Sequence, residues 1–181
     1  MEIYWLLGIP LTGGIFLALW GCRKHAPEIN ALFSFLTLLA SAVLTHRIID
    51  QGPMTVGNGW FFIDSFNVFL VALTAFVAFT TALFSRPYMR IEEEHGKLNA
   101  QRLRLYHSSY QIFIGAMLLA LTTNNMGILW VSMEAATLAT VLLVSLYRTP
   151  ASLEAAWKYF ILCGVGIALA LFGTILLYFA A

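Results

Sequence analysis

The chain has 181 residues, 60% of them hydrophobic and only 10% charged, with a formal net charge of +1 at pH 7. So little charge cannot cover a water-soluble domain of this size, and with a mean hydropathy of +0.82 the composition points to a polytopic membrane protein. No run of basic residues suggests a nucleic-acid partner, and two cysteines are too few for a four-thiolate iron–sulfur cluster.

Six apolar runs approach the roughly 20 residues that span about 30 Å of hydrocarbon. The first covers 3–22. It opens with Glu2, lacks a basic leader and places Arg23 and Lys24 after the apolar stretch, so it reads as a retained helix and not a signal peptide. The second covers 29–49. The segment DQGPMTVGNGWFFID, 50–64, follows; its Gly-Pro, Gly-Asn-Gly and Trp-Phe-Phe-Ile predict a short β-hairpin. Asp64 is placed to cap the third helix, 65–86.

Residues 87–106, PYMRIEEEHGKLNAQRLRLY, form the one hydrophilic stretch and are expected to be a surface turn or interfacial helix. The fourth run, 107–124, is short and opens with His107, Ser108, Ser109, Tyr110 and Gln111. Asn124 and Asn125 make a tight turn into the fifth run, 126–147. Between it and the sixth, 153–180, Pro150 is expected to stop one helix and Ser152 to cap the next. The fold class is therefore an all-α integral membrane protein of about six spans.

Nine of the ten basic residues fall on one side if the N-terminus lies outside: Arg23, Lys24, Arg86, Arg90, Lys97, Arg102, Arg104, Arg148 and Lys158, against Arg47 alone. The positive-inside rule then puts both termini outside, in the cell membrane of a bacterium or archaeon. Tyr4, Trp5, Trp20, Tyr147, Trp157 and Tyr178 fit interfacial aromatic belts.

Of nine acidic residues, only Glu134 lies deep within a run. It is about 12 Å from the outer end of the fifth helix at 1.5 Å per residue. Ionised and facing lipid, it would cost about 2.5–3.5 kcal/mol by insertion scales. It is therefore either a protonated acid tying helices together or a functional ionisable group. Thr137, one turn further in, and Ser145, returning to nearly the same face, are candidate lining for a hydrated path. Lys158, about a turn and a half into the sixth run, can snorkel to the inner interface; depth counting separates it from Glu134, leaving a water-linked relay. His107, at the inner mouth of the fourth helix, either feeds such a path or is a loop-edge histidine. Glu154 complements the dipole of helix six. The four histidines form no spaced ligand pair and the cysteines no cluster, so no cofactor or metal is expected and any redox chemistry belongs to another subunit.

The run TTNNMGILWVSMEAATLATVLLVSLYRTPASLEAAWKYFILCGVGIALALFGTILLYF resembles the corresponding part of the hydrogenase-4 component F family, and GWFFIDSFNVFLVALTAF and RPYMRIEEEHGKL are also similar to it. These are antiporter-like membrane subunits, similar in turn to the proton-pumping subunits of respiratory complex I. The resemblance implies that Glu134 matches a glutamate that modulates a proton-carrying lysine by charge pairing, and that Lys158 matches a lysine near the start of helix six. The glutamate's principal lysine partner lies on a seventh helix in that family, whose members have roughly fourteen helices in two inverted repeats. The chain is thus expected to be the N-terminal portion of such a subunit, or one half of a split one. Residues 1–106 would form a three-helix region with hairpin and inner loop, and 107–181 the start of the antiporter-like repeat. Expected partners are other membrane subunits of a hydrogenase or complex I-like assembly and the lipid bilayer. The alternatives are a docking module without transport, or a proton subunit paired with an inorganic-carbon uptake protein.

Overall fold

A computed structural model describes residues 2–21, 25–96 and 98–180. The expectations placed on Cys22, Arg23, Lys24 and Lys97 lie outside the described residues. Six long helices carry the fold: α1 Glu2–Trp20, α2 Ala26–Gln51, α3 Ser65–Glu94, α4 Ala100–Thr122, α5 Met126–Val144 and α6 Pro150–Ala180. A hairpin of β1 Met54–Val56 and β2 Phe61–Ile63 sits between α2 and α3, and a single 3-10 turn, Ser145–Tyr147, follows α5.

Short polar side chains start α3, α4 and α5 by satisfying amides that have no intrahelical partner. The Asp64 carboxylate accepts from the Asn67 amide at 2.7 Å, as the sequence predicts. The Asn99 side chain accepts from Arg102 at 3.0 Å. Asn125 accepts from Gly127 at 2.9 Å and Ile128 at 3.1 Å, so the Asn124–Asn125 turn forms as expected. The hairpin pairs Met54 with Ile63, Thr55 with Phe62 and Val56 with Phe61. Its turn needs positive φ at three successive residues, Gly57 at 68°, Asn58 at 58° and Gly59 at 92°, which Gly-Asn-Gly adopts without steric penalty. The hairpin is tied to the start of α5: Phe61 bridges Thr123, and the Asn124 amide donates to the Trp60 carbonyl at 2.8 Å.

Two expectations need correction. The hydrophilic stretch 87–106 is mostly helical: α3 continues through Pro87 to Glu94 and α4 begins at Ala100. Proline lacks one ladder bond, but helices that leave the bilayer tolerate it when packing holds both sides. Here Arg86 and Arg90, flanking Pro87, both pair with Glu28 on α2, and Met89 packs with Leu98, Leu103 and Leu146 in a small second core. The second correction concerns α6. Ser152 is not its cap; Thr149 is, its hydroxyl accepting from the Ser152 amide at 3.1 Å. Pro150 opens α6 instead of only ending α5, because a proline at the first helical position wastes no amide and holds the residue before it extended, as a cap must be. The preceding chain turns through Arg148, at φ 52°.

Five helices are long and apolar enough to cross a membrane; α4 is the sixth long helix. It can be more polar because it packs against α1, α2, α3 and α5, so its polar groups meet protein. The Ser108 hydroxyl donates to the Gly14 carbonyl at 2.9 Å and the Tyr110 hydroxyl to the Ala78 carbonyl at 2.6 Å.

Candidate functional site

Glu134 stands two turns into α5 and is half-buried. At 100° per residue, Trp130, Leu138, Val141 and Ser145 share its side of the helix. That side faces α6. The Trp130 indole donates to the Ile167 carbonyl at 2.8 Å, and one turn below Glu134 an apolar cavity of about 520 Å³ opens between Leu138, Val141 and Ser145 on α5 and Leu153, Ala156 and Phe160 on α6. Glu134 therefore sits between a closed contact on one side and a void on the other. No hydrogen-bond or ion-pair partner meets its carboxylate among the described residues.

The other predicted residues fall in three places. Ser145 borders the cavity, while its hydroxyl donates to the Leu142 carbonyl at 3.1 Å. Thr137 is buried, but its hydroxyl folds back onto the Met133 carbonyl at 3.1 Å. Both therefore spend their donor on α5 itself, leaving only lone pairs to offer a path. Lys158 is on the far side of α6 from α5, since Leu153, Ala156, Phe160 and Ile167 mark the facing side. It is exposed and ion-paired with Glu154, one turn back on the same helix. Because α6 begins at Pro150, Glu154 lies beyond the first turn where the sequence placed it against the helix dipole; its partner is Lys158, at an i, i+4 spacing legible in the sequence.

His107 is not at a loop edge. Because α4 starts at Ala100, His107 lies two turns inside it and is only 1% exposed. It reaches a second cavity, of about 490 Å³, bordered by Ala26, Pro27, Met89, Arg90 and Leu103. Beside it lies a polar cluster that the sequence reading missed: the Gln111 amide donates to the Asn30 carbonyl and side chain and to the Ser34 hydroxyl, at 3.0, 2.8 and 3.0 Å. The signal was present. Asn30, Ser34, Thr37 and Ser41 recur at spacings of four, three and four, one face of a helix, and all four are buried. Among the described residues no three His, Cys, Asp or Glu side chains gather as a metal site requires.

No family model matches the chain. It is 48% identical over 172 residues to a protein described as hydrogenase-4 component F homolog, from Methylacidiphilum infernorum, a match covering 95% of this chain and 35% of that protein. It is 27% identical over 152 residues to NADH-quinone oxidoreductase subunit N of Dehalococcoides mccartyi, covering 82% of this chain and 29% of that one. Among solved structures, it superposes on a chain of the membrane-bound sulfane sulfur reductase, an archaeal respiratory membrane complex, with a TM-score of 0.83. That match covers 100% of this chain and 38% of the other at 19% identity, a likeness of fold.

Six long helices, five of them long and apolar enough to cross a membrane, together with these relatives, define the N-terminal portion of an antiporter-like, multi-pass membrane subunit. More particularly, the chain is similar to the hydrogenase-4 component F proteins. It spans about a third of the length of the relatives it matches.

Proposed function

We propose that the chain is part of a proton-translocating subunit in which Glu134 is one half of a charge pair, the other half being a lysine on a helix beyond these six. Electron transfer in other membrane-complex subunits, of a hydrogenase or complex I-like assembly, alters the charge near Glu134. A carboxylate in low dielectric then shifts the proton affinity of its lysine partner, and the proton moves. Lys158, beside Glu154 on the outer side of α6, is an inward-side relay group in this scheme, and Ser145 and Thr137 lend acceptor lone pairs along α5. Residues 107–181 would begin the antiporter-like repeat. The observation that supports the reading is the position of Glu134: two turns into an apolar helix, on the side that faces α6, one turn from a cavity, and unpaired among the described residues.

The test is Glu134→Gln in the native complex, reading proton uptake in membrane vesicles beside electron transfer in the same preparation. Proton uptake should fall sharply while electron transfer stays largely intact; unchanged uptake would overturn the reading. A second reading is supported by the pairing of Lys158 with Glu154 and by the bare apolar side of α6, with Leu162, Leu169 and Phe172 exposed. On it, the chain docks neighbouring subunits and carries no proton. Then Glu134→Gln leaves pumping unchanged, while Leu162→Asp releases the chain from its complex.

A further inference from the structure

The interface of α2, α3 and α4 carries more polar groups than it satisfies, and the surplus is concentrated. Among the described residues, the buried side-chain nitrogens and oxygens without a protein partner are Glu28 Oε2, Asn30 Nδ2, Arg86 Nε, Gln111 Oε1 and both ring nitrogens of His107. They form one neighbourhood. Glu28 and Arg86 are in contact at 3.3 Å, Gln111 holds Asn30 at 2.8 Å, and His107 is one turn before Gln111 on α4. Asn30 and Gln111 are 0% exposed, so bulk solvent does not reach them directly. Orphaned polar atoms this deep in an apolar bundle destabilise it unless something bridges them.

The chemistry of the set selects the bridge. Asn30 Nδ2 and Arg86 Nε are donors; Glu28 Oε2 and Gln111 Oε1 are acceptors; a neutral imidazole presents one of each. A metal cation would meet the amide and guanidinium hydrogens, and an anion would meet the Glu28 carboxylate. Water both donates and accepts, and a buried water typically makes about three such bonds. A route exists as well, because His107 borders the 490 Å³ cavity at the end of the bundle that carries Arg90, Glu93 and Glu94.

We propose that this cavity is the mouth of a hydrated inlet in which water binds between His107, Asn30 and Gln111, reaches Ser34 and stops there. The stop is built in. Beyond Ser34 the Thr37 and Ser41 hydroxyls turn back onto the Phe33 and Leu38 carbonyls, at 2.9 and 2.8 Å, and the facing side of α4 becomes apolar at Ile114 and Leu118. The Glu28–Arg86–Arg90 ion pairs form its rim. Water at the imidazole lets His107 exchange protons with the basic side, on the opposite side of α4 from the Glu134 face of α5. The inlet does not depend on the role of Glu134.

Thiol chemistry tests it, because methanethiosulfonates react with thiolates and thiolates form where water reaches. In the whole subunit in native membranes, with the two native cysteines replaced by Cys22→Ser and Cys163→Ser, Ser34→Cys and Ser41→Cys are compared using 2-aminoethyl methanethiosulfonate. Modification of the Ser34→Cys thiol should be at least about tenfold faster than of the Ser41→Cys thiol, following the difference in thiolate access. Adding Ala26→Trp, which fills the mouth, should slow the first and leave the second unchanged. Equal rates at the two positions, whether slow as in a dry interface or fast as in a misfolded bundle, would overturn the inlet. A Ser34→Cys rate insensitive to Ala26→Trp would overturn the route.

Discussion

The four helices α1–α4 and the pair α5–α6 are built from similarly apolar sequence yet are finished to different degrees. In the first region glycines sit where helices touch: a Cβ on Gly13 would lie 2.8 Å from Phe33, and one on Gly115 2.9 Å from Leu11. Polar cross-links join α4 to α1, α2 and α3, and charges at the helix ends are paired, as with Glu2 and Arg47. In the second region Gly164, Gly166 and Gly173 meet nothing within 4 Å, and Ala156 is the buried residue of α6. Lipid is as apolar as leucine, so burying hydrophobic surface does not hold membrane helices together; close packing of small residues and interhelical hydrogen bonds do. The first region uses both devices. The second leaves the α6 glycines open and Glu134 without a polar partner among the described residues.

Substitutions can break that contrast. The largest effect should come from Gly14→Leu, because a Cβ there already lies 2.9 Å from Ile112 and 3.4 Å from the Ser108 carbonyl. Thermal unfolding in detergent should show a loss of about 3 kcal/mol from overpacking. Gly166→Leu, into open space, should change stability by less than about 0.5 kcal/mol. Equal losses at the two positions would mean the regions are packed alike. Next in size is the α6 cap: Thr149→Ala should cost about 1 kcal/mol, whereas Ser152→Ala should cost a few tenths. Reversal of that order in the same unfolding assay would restore Ser152 as the cap. Third is Trp130→Phe, which keeps a six-membered aromatic ring but removes the pyrrole N–H and its hydrogen bond to Ile167. A loss of about 0.6 kcal/mol is the membrane average for such a bond. A loss several times larger would show that α5 and α6 are held as firmly as the first four helices.

Much of this architecture is legible in the sequence. Apolar runs set the helices, Gly-Asn-Gly sets the hairpin and Asp64 sets the start of α3, because each depends on residues near one another in the chain. The reading fails where distant residues decide. Pro87 and the acidic run after it look like a loop until Glu28, far away on α2, supplies the partner for Arg86 and Arg90. His107 looks like an edge residue because Ser108, Ser109 and Gln111 make α4 seem to begin in water. All three are buried, Ser108 bonding to α1 and Gln111 to α2, and a helix enclosed by its neighbours need not be apolar. For the site, the place of Glu134 two turns into α5 follows from counting residues along the apolar run. The direction it faces was not, since that depends on which side of α5 receives α6.

The strap formed by the hairpin also constrains what can move. Phe61 and Trp60 hold Thr123 and Asn124, and the cap of α5 is the very next residue, Asn125. A helix rooted so closely to a pinned strand is not free to swivel about its long axis, because even a quarter turn would tear the strap from its anchor. On the proposed function, Glu134 is then the stationary half of its charge pair. Any change in what its carboxylate meets must come from a side-chain torsion or from the piece of machinery that slides past it.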